Sequence, residues 1–570
     1  MNRSKKKAST LNTGHFAGLS GGRLPGSRGD SSRSPRFTGI GAGELAGLAI
    51  IVGTALFLRF GRWDLLEFKG DEATALQLAL GCIQQGRLPT AGLMSSIGAA
   101  NPPLFIYLLI PIVALSANLA IITSYIAASG TAAVVVCWHI GRKYYSPAVG
   151  LIAAAFFAVS PWAVIYSRKI WAQDFVPVFA SLTLWALHAL ISGKNRRAIF
   201  WVVLLPLCLI QIHYSGFALT AAVGCILLLL RPKFDWRFAT GGAVVAFIVL
   251  IPFLYEQTNN GWADFHQGAR TLGNDARSNP NDLLIDPASG SSLSNHHYLT
   301  HALGIMNGGE IEELIGLSKW DFEKDLTLEN WALWFQQLVF TSGVVYLLVL
   351  GAAGIRWSNT FPWVTVEQGE AQTAWMLVFW VVVPTLVYLG VWLKTALSYF
   401  VLFYPAPFLF CAVIGQELWI KAKASLFLKA LLCGTLGFIL AGNLSFILHL
   451  YAFVARNGGA HGNYGTILSY KQQAAIYLAR NADVRRLQSE GRLLQMDRFG
   501  EGNPPQPDIP LLALLANISP QGPGFPSHAG MLIIDRNRAS FTDDQWARLD
   551  AFPRQEFGPI EIYFSPPKAK

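Results

Sequence analysis

Long apolar segments alternate with short polar ones between about residues 40 and 455 of the 570-residue chain. A run of about 20 apolar residues crosses the hydrocarbon core of a bilayer as an α-helix. Eleven segments fit this description, and the pattern therefore predicts an all-α polytopic membrane bundle. They lie at about 40–60, 119–140, 147–166, 175–192, 198–212, 215–230, 236–255, 331–355, 372–393, 397–418 and 425–453.

A further apolar segment, 101–118, is short and is interrupted by Pro102, Pro103 and Pro111. If it crossed the membrane, the basic loops that follow it, beginning at Arg142, would lie outside, against the tendency of basic loops to stay in the cytosol. We therefore predict that it lies at the outer interface. The N-terminus is then inside and the C-terminus outside. The polar segments predicted to be outside are 61–118, 167–174, 256–330 and 456–570, with short turns at 211–216 and 394–397.

Composition supports an integral membrane protein rather than a nucleic-acid-binding protein, and the membrane we expect is the plasma (inner) membrane. Hydrophobic residues make up 52% of the chain and charged residues 14%, and the formal net charge is +10. The basic residues lie mainly in the short loops between apolar segments. The positive charge therefore indicates which loops face the cytosol rather than a nucleic-acid partner. The six cysteines contain no CxxC pair and predict no disulfide framework.

The chain is predicted to have three parts. Residues 1–37 are rich in Ser, Gly and Arg and predict a disordered cytosolic tail rather than a cleaved signal peptide. Residues 38–455 form the membrane part. Residues 456–570 have the composition of a soluble domain, in which "GTILSYKQQAAIYLARN" and "SFTDDQWARLDAF" predict helices and "GMLIIDRN" and "PIEIYFSPP" predict strands. We expect a small extracytoplasmic α/β domain that docks over a site or serves partner contacts only.

Acidic residues occur at two places of the predicted outer face. Asp71 and Glu72 follow Gly70, where an amphipathic helix is predicted, with Asp71 as its cap. Acids at a helix start also simply satisfy free N–H groups and the helix dipole. Asp174 lies in a short turn pressed against the bundle, where an ionisable group predicts function.

Basic and aromatic residues accompany these acids on the same face. Interfacial anchoring is the simpler interpretation of each of them. Taken together, however, acids that can deprotonate a hydroxyl and bases that can hold a phosphate predict group transfer from a lipid-linked phosphate donor. The residues are Arg168, Lys169, His213, Tyr214, Lys394 and Tyr399.

Several motifs resemble those of the GT-C membrane glycosyltransferases, especially the protein O-mannosyltransferases, the lipid A aminoarabinose transferase and Rgt-type bacterial enzymes. The resemblance covers roughly residues 40–455. The matching motifs are "GDEA" (70–73), "NPPLFIY" (101–107), "GRKYYSPAVGLIAAAFFAVSPWAVIYSRKIWAQD" (141–174), "IHYSGF" (212–217) and "KTALSYFVLFYPAPFLF" (394–410).

The resemblance implies a GT-C fold of about 11 transmembrane helices and an inverting transfer of a hexosyl or pentosyl group. The donor would be a polyprenyl-phosphate sugar, and the acceptor a hydroxyl of a protein, lipid or glycan. Asp71 would be the catalytic base with Glu72 beside it, and Asp174 would shape the site and, in some branches, a metal site. Arg168 and Lys394 match the phosphate-binding positions best, and we group Lys169 with them.

Two departures from the family pattern concern the substrate-binding region. Asn101 stands where the aminoarabinose transferase has a lysine. Many protein mannosyltransferases carry a histidine just before the proline pair, and it is absent here. Both differences argue against assigning to this chain the acceptor of either enzyme.

No cofactor is predicted with certainty, although a divalent metal is compatible with the site. In the loop 256–330, His297 and His301 are four residues apart with His296 adjacent, which could form part of a zinc site. Without an HExxH-type pattern, a surface helix or groove wall is the preferred interpretation.

Two other functions remain open. A transporter or lipid flippase would show paired repeats and ionisable residues near the middle of spans, and neither is evident here. An inactive scaffold that retains the fold is the third reading.

Overall fold

The computed structural model describes most of the membrane part and fragments of the C-terminal part. The predicted tail 1–37, Lys394, His296 and His297 lie outside the described residues, as does nearly all of the predicted helix at 540–552. The described residues are 40–95, 98–270, 298–357, 364–366, 369–391, 396–423, 425–482, 485, 495–496, 531–536, 547, 550 and 553–564.

The described residues are mainly helical. The α-helices are α1 Ala42–Phe60, α2 Gly70–Gln85, α3 Leu104–Leu115, α4 Leu119–Tyr144, α5 Pro147–Val159, α6 Pro161–Ile165, α7 Val176–Ile191, α8 Ile199–Ile212, α9 Gly216–Leu230, α10 Trp236–Asn259, α11 Ala263–Arg270, α12 Tyr298–Asn307, α13 Glu312–Ile315, α14 Lys319–Glu323, α15 Thr327–Ala353, α16 Glu370–Val391, α17 Ala406–Lys421, α18 Leu426–Asn457 and α19 Leu468–Arg480. Short 3₁₀ helices cover Trp63–Leu65, Ala172–Phe175, Arg196–Ala198, Gly316–Ser318 and Leu397–Phe403.

All eleven predicted spans are apolar and mainly helical over their described residues, nine as one helix and two with a break. In the described chain, seven helices are long and apolar enough to cross a membrane, and the bent pair of Leu397–Phe403 with α17 makes an eighth. The other three, α5, α8 and α9, have 13, 14 and 15 residues. The chain therefore has the helical, polytopic fold expected, while the sidedness of its loops remains a prediction.

Two predicted spans are broken by prolines. The span 147–166 divides at Ser160, which has an extended backbone before Pro161 starts α6. The span 397–418 bends by 54° between the 3₁₀ helix and α17, near Pro405. A residue before proline is disfavoured in the helical conformation and proline itself lacks an N–H, so both breaks follow from the sequence.

Side chains cap several of the membrane helices. Asn118 accepts a hydrogen bond from the N–H of Ala120 (2.9 Å) at the start of α4, and Ser146 accepts one from Val149 (3.1 Å) at the start of α5. These contacts satisfy free N–H groups in the first turn. They explain why the helices begin where they do.

The long helices pack side by side into a closed ring. Its order is α5, α4, α7, α8, α9, α16, α15 and α17, which returns to α5, while α1 packs on α4 and α5, and α18 on α15. Aromatic side chains fill the junction of α5 and α17, where the rings of Phe157 and Phe408 stack with centroids 4.6 Å apart. Helix α2 packs on α3 beside this ring.

Helices α4 and α5 approach closely at a pair of glycines. A Cβ atom on Gly150 would lie 2.7 Å from the carbonyl oxygen of Trp138 and 2.8 Å from the backbone nitrogen of Arg142. Neither backbone atom can move without displacing a whole helix. Small residues serve this purpose in membrane bundles, where close packing holds helices together.

We expect Gly150→Ala to lower the stability of the detergent-solubilised protein by about 1–3 kcal/mol through overpacking. Gly224→Ala is the matched control, because nothing lies within 4 Å of a Cβ at that helical position. Alanine is the better helix former, so Gly224→Ala should be neutral or slightly stabilising. Thermal unfolding of both variants checks this, and equal melting temperatures would contradict the close approach of α4 and α5.

The C-terminal part contributes strands and one helix. β3 (Gly459–Ala460) pairs with β4 (Gly465–Thr466). β5 (Gln495–Met496), β6 (Met531–Asp535), β8 (Ile560–Phe564) and β7 (Arg554–Phe557) form a sheet in that order, antiparallel except for β5 with β6. The segments predicted as strands are β6 and β8, and the predicted amphipathic helix is α19. A short hairpin, β1 (Ile355–Trp357) with β2 (Val364–Val366), joins α15 to α16.

Candidate active site

The loop that follows α1 leads directly into α2. Helix α2 begins at Gly70, after Lys69, so the prediction that Asp71 caps it is wrong, and Asp71 lies in its first turn. The Glu72 carboxylate reaches back and accepts the N–H of Lys69 (3.0 Å). Of the two adjacent acids, Glu72 is 2% exposed whereas Asp71 is exposed to solvent.

Glu67 is a buried acid that sequence reasoning missed. Its carboxylate forms an ion pair with the Lys169 ammonium (2.5 Å) and a second one with Lys69. Burial opposes the charged form of Glu67, but the two ammonium groups outweigh it and hold the carboxyl pKa below its ordinary value. One acid thus holds two lysines that come from different parts of the chain.

The environment affects the two lysines differently. Burial lowers the pKa of Lys69, and Glu67 offsets only part of that effect. For Lys169, the attraction of Glu67 exceeds the cost of burial, so its pKa is raised. The Lys169 ammonium also lies 5.4 Å from the ring centre of Trp171 and 5.6 Å from that of Tyr166. Lys169 is therefore a firmly charged, positioned cation.

Asp174 is completely buried in the 3₁₀ turn before α7. Its Oδ2 accepts the backbone N–H of Lys169 (3.0 Å), while its Oδ1 has no hydrogen-bond partner among the described residues. The turn therefore places this acid beside the backbone of Lys169. We refer to Glu67, Lys69, Asp71, Glu72, Lys169 and Asp174 as the acid–lysine cluster.

A cavity of about 290 Å³ opens on this cluster. Asp71, Lys69 and Lys169 line it, whereas Glu72 and Asp174 do not. Its remaining wall is largely aromatic and apolar, with one residue from the C-terminal part. Those residues are Gly70, Trp162, Tyr166, Trp171, Leu314, Ala396 and Asn463. The cavity therefore joins an exposed carboxylate to two ammonium groups.

The C-terminal part holds the first loop in place. Glu67 and Ile467 form an antiparallel bridge, and the N–H of Leu468 donates to the carbonyl of Leu66 (2.8 Å). The buried Lys471 donates to the carbonyl of Phe68 (2.8 Å). Lys69 also donates to the carbonyl of Asn463. The segment from β3 to α19 thus fixes the strand that carries Glu67 and Lys69.

Arg168, which is predicted to be a phosphate ligand, binds backbone carbonyls in the structure. Its guanidinium donates to the carbonyls of Leu58 (3.0 Å), Arg59 (3.0 Å), Gly61 (2.5 Å) and Arg62 (2.9 Å). Leu58 and Arg59 lie in the last turn of α1, where carbonyls lack an intrahelical partner, and Gly61 and Arg62 follow that turn. Arg168 does not line the cavity, and its contacts make it a clamp on the end of that helix.

A second cavity, of about 500 Å³, has a mostly apolar wall. His213, Tyr214 and Tyr399 line it, while Asn101 lines neither cavity. Tyr399 of the second cavity stands three residues after Ala396 of the first. His213 of the second cavity contacts Gln173 through their Nε2 atoms (3.1 Å), and Gln173 stands two residues after Trp171 of the first. The two cavities share no described lining residue, but neighbouring residues of the segments 171–173 and 396–399 connect them.

The polar residues of the second cavity are anchored to their surroundings. His213 Nδ1 lies 2.9 Å from the hydroxyl of Ser215, and burial lowers the histidine pKa to about 4, so the ring is neutral. The Tyr214 hydroxyl donates to the carbonyl of Ala100 (2.6 Å). Asn101 donates to the carbonyl of Leu93 (2.9 Å), and its buried Oδ1 has no partner in the described chain.

No group of three potential metal ligands occurs within the described part of the chain. His301 instead lies near the carboxylate of Glu310, with 3.7 Å between Nδ1 and Oε2. The pairing of His297 with His301 stays a prediction.

The sequence contains a weak indication that Glu67 and Lys69 lie on one face of an extended segment. Both stand two residues apart in "LLEFKGDEA", alternating with apolar Leu66 and Phe68, as in an extended strand. Their pairing with Lys169, a hundred residues later, could not be read from that spacing.

Glu72 makes the stability of the protein depend on pH. Burial raises its pKa to about 7 from 4.5, so the folded protein binds this proton more tightly than the unfolded chain. Stability should therefore fall as the pH rises from 4.5 to 7, by about 3 kcal/mol. Glu72→Gln should lack this fall, and thermal unfolding between pH 4.5 and 8 compares the two proteins. If the difference in stability between the wild type and Glu72→Gln were the same at every pH in that range, the raised pKa of Glu72 would be disproved.

Neither a protein-family model nor a curated protein matches the sequence. Among solved structures, the chain is similar to ArnT from Cupriavidus metallidurans bound to undecaprenyl phosphate, with 12% identity and a TM-score of 0.54 over 91% of this chain and 98% of that one. It also matches the oligosaccharyltransferase AglB from Archaeoglobus fulgidus, in complex with an inhibitory peptide and a dolichol-phosphate, with 11% identity and a TM-score of 0.45 over 84% of this chain and 64% of that one. The likeness to ArnT extends over nearly the whole of both chains. The chain therefore has the polytopic helical fold of ArnT.

Proposed function

We propose that the protein is a membrane glycosyltransferase that moves a sugar from a polyprenyl-phosphate donor to an acceptor hydroxyl. The observation that carries the proposal is the cavity in which the exposed Asp71 faces the paired lysines Lys69 and Lys169. Its fold is that of ArnT, a structure solved with undecaprenyl phosphate bound. The acceptor class is a hydroxyl of a protein, lipid or glycan.

The proposed reaction needs a base on one side of the sugar and a cation on the other. The acceptor oxygen attacks the anomeric carbon, and its proton passes to the Asp71 carboxylate. The bond between that carbon and the phosphate oxygen breaks, and polyprenyl phosphate leaves with the electron pair. The ammonium groups of Lys169 and Lys69 stabilise the charge that develops on it. Attack opposite the leaving group inverts the anomeric centre.

The second cavity is suited to the donor's prenyl chain. Its wall is mostly apolar, and its residues Tyr399 and His213 lie next to segments that line the first cavity. A prenyl chain lying there would place its phosphate near Lys169. His213 and Tyr399 would then contact the end of the prenyl chain nearest the phosphate, while Tyr214 and Asn101 would support the backbone at Ala100 and Leu93.

The remaining predicted residues receive supporting roles in this proposal. Glu72 fixes the start of α2 through the N–H of Lys69, and Asp174 fixes Lys169 through its backbone N–H. The four carbonyl contacts of Arg168 favour a structural role over the predicted phosphate contact. Lys394 stays a predicted phosphate ligand, outside the described residues. A divalent metal bound by the free oxygen of Asp174 remains compatible with the site.

The test is a transfer assay with the purified protein in proteoliposomes, using defined polyprenyl-phosphate sugars and a membrane extract as acceptor source. We expect release of polyprenyl phosphate together with a glycosylated product of inverted anomeric configuration. If no donor releases polyprenyl phosphate while lipid-linked sugar crosses the bilayer, the protein is a flippase and the proposal is wrong.

A further inference from the structure

A third cavity, of about 590 Å³, lies at the far end of α7 from the acid–lysine cluster. Asp174 precedes α7 and His188 lies in its last turn, so the two are about 20 Å apart along the helix axis at 1.5 Å per residue. The ends of α4 and α7 and the start of α16 form most of the wall. The volume is typical of small-molecule sites. Nothing in the proposed transfer reaction uses it.

Three unpartnered polar groups meet in this cavity. His188 is 3% exposed and lies between Tyr144, stacked at 4.5 Å, and Tyr145, edge-on at 5.9 Å. All three residues line the cavity. The His188 Nε2 and both tyrosine hydroxyls are buried without a hydrogen-bond partner in the described residues. Such groups are costly to leave unpaired, so the cavity is built for a polar occupant.

The charge around the cavity indicates the sign of that occupant. Lys143 and Lys194 line it, and no ion pair joins either lysine to an acid in the part of the chain that the structure describes. Glu370 is the one acid among its described lining residues. The same wall includes the first turn of α16, where free N–H groups and the helix dipole attract anions. Lysine, phenol, imidazole and helix N–H groups together form a donor set for an anion.

We propose that this cavity binds a phosphate group, carried by an anionic lipid headgroup or by a soluble phosphate ester. The ammonium of Lys143 or Lys194 supplies the charge, and the hydroxyls of Tyr144 and Tyr145 donate to phosphate oxygens. His188 Nε2 supplies a further contact. Under the predicted topology this end of the bundle faces the cytosol, where anionic lipids and phosphate esters are both available.

The test titrates the purified full-length protein with two probes. The first is glycerol 3-phosphate in detergent, followed by the shift in melting temperature. The second is phosphatidylglycerol in nanodiscs, compared with phosphatidylcholine alone and followed by native mass spectrometry. We expect saturable binding of one probe at one molecule per chain. A response to glycerol 3-phosphate assigns a soluble ester, and retention of phosphatidylglycerol alone assigns a lipid.

Charge variants locate the binding. Lys143→Gln should weaken binding by about tenfold, because it removes a charge-assisted contact. Glu370→Gln should strengthen it by removing a repulsive charge from the wall. Lys233→Gln is the matched control, since this exposed lysine does not line the cavity. If Lys143→Gln does not fold, Lys194→Gln on the exposed turn replaces it.

Three results would overturn the proposal. The first is that neither probe binds. The second is that the wild type and the variant of the lining lysine bind the probe equally well. The third is that Glu370→Gln binds it more weakly than the wild type. Sugar transfer is not the readout, so the outcome is independent of the proposed activity.

Discussion

Asp71→Asn is expected to lower the rate of sugar transfer by about 10²–10⁴-fold while leaving the protein folded. Asparagine keeps the size of the side chain but cannot accept the acceptor's proton. Because Asp71 is exposed and makes no contact on which the start of α2 depends, the melting temperature should change little. Initial rates of polyprenyl phosphate release from a defined donor measure the effect.

Asp64→Asn is the matched control for this variant. Asp64 lies in the same loop and forms an exposed ion pair with Arg62 (2.7 Å), but it does not line the cavity. It should transfer sugar at nearly the wild-type rate. If Asp71→Asn retained full activity, or if both variants lost activity equally, Asp71 would not be the base.

Glu67→Gln should destabilise the protein by about 3–5 kcal/mol, the cost of breaking a buried ion pair. The substitution leaves two ammonium groups, those of Lys69 and Lys169, close together without the carboxylate that joins them. Their mutual repulsion also displaces the cations that the proposed reaction needs. A large fall in melting temperature and in transfer rate is therefore expected.

Lys69→Gln provides the comparison for Glu67→Gln. It keeps one carboxylate and one ammonium, Glu67 with Lys169, so it should be clearly less destabilising. Thermal unfolding of both variants under the same detergent conditions shows which of the two is less stable. Equal stabilities, or Lys69→Gln as the less stable protein, would refute the role of Glu67 as the shared counterion.

The membrane helices could be predicted from sequence because their cause is local. A run of apolar residues of sufficient length dictates a helix whatever its neighbours are, and all eleven predicted segments are helical. The errors occur where a backbone effect overrides the run, as at Ser160 before Pro161. The proline at each break is visible in the sequence. The hydropathy pattern from which the spans were predicted does not take it into account.

The candidate site was only partly predictable, because its contacts join distant segments. Asp71 was identified from its position after the first span, and it lines the cavity. Glu67 was missed because its partner Lys169 is a hundred residues away. Arg168 was predicted to hold phosphate because it matches a phosphate-binding position of the family, and in the structure its guanidinium donates to backbone carbonyls at and after the end of α1. Charge alone does not reveal which acceptor a guanidinium will meet.

The bridge from Glu67 to Ile467 has a consequence for biosynthesis. The loop that carries Glu67 leaves the ribosome about four hundred residues before the segment that holds it, including Lys471 and Leu468. The loop after α1 therefore lacks its supporting segment until translation of the membrane part has finished. A chain interrupted just after α18 would carry all the membrane helices, but the first cavity would lack Asn463 and the loop with Glu67 would lack its support, so we expect such a product to have no transferase activity.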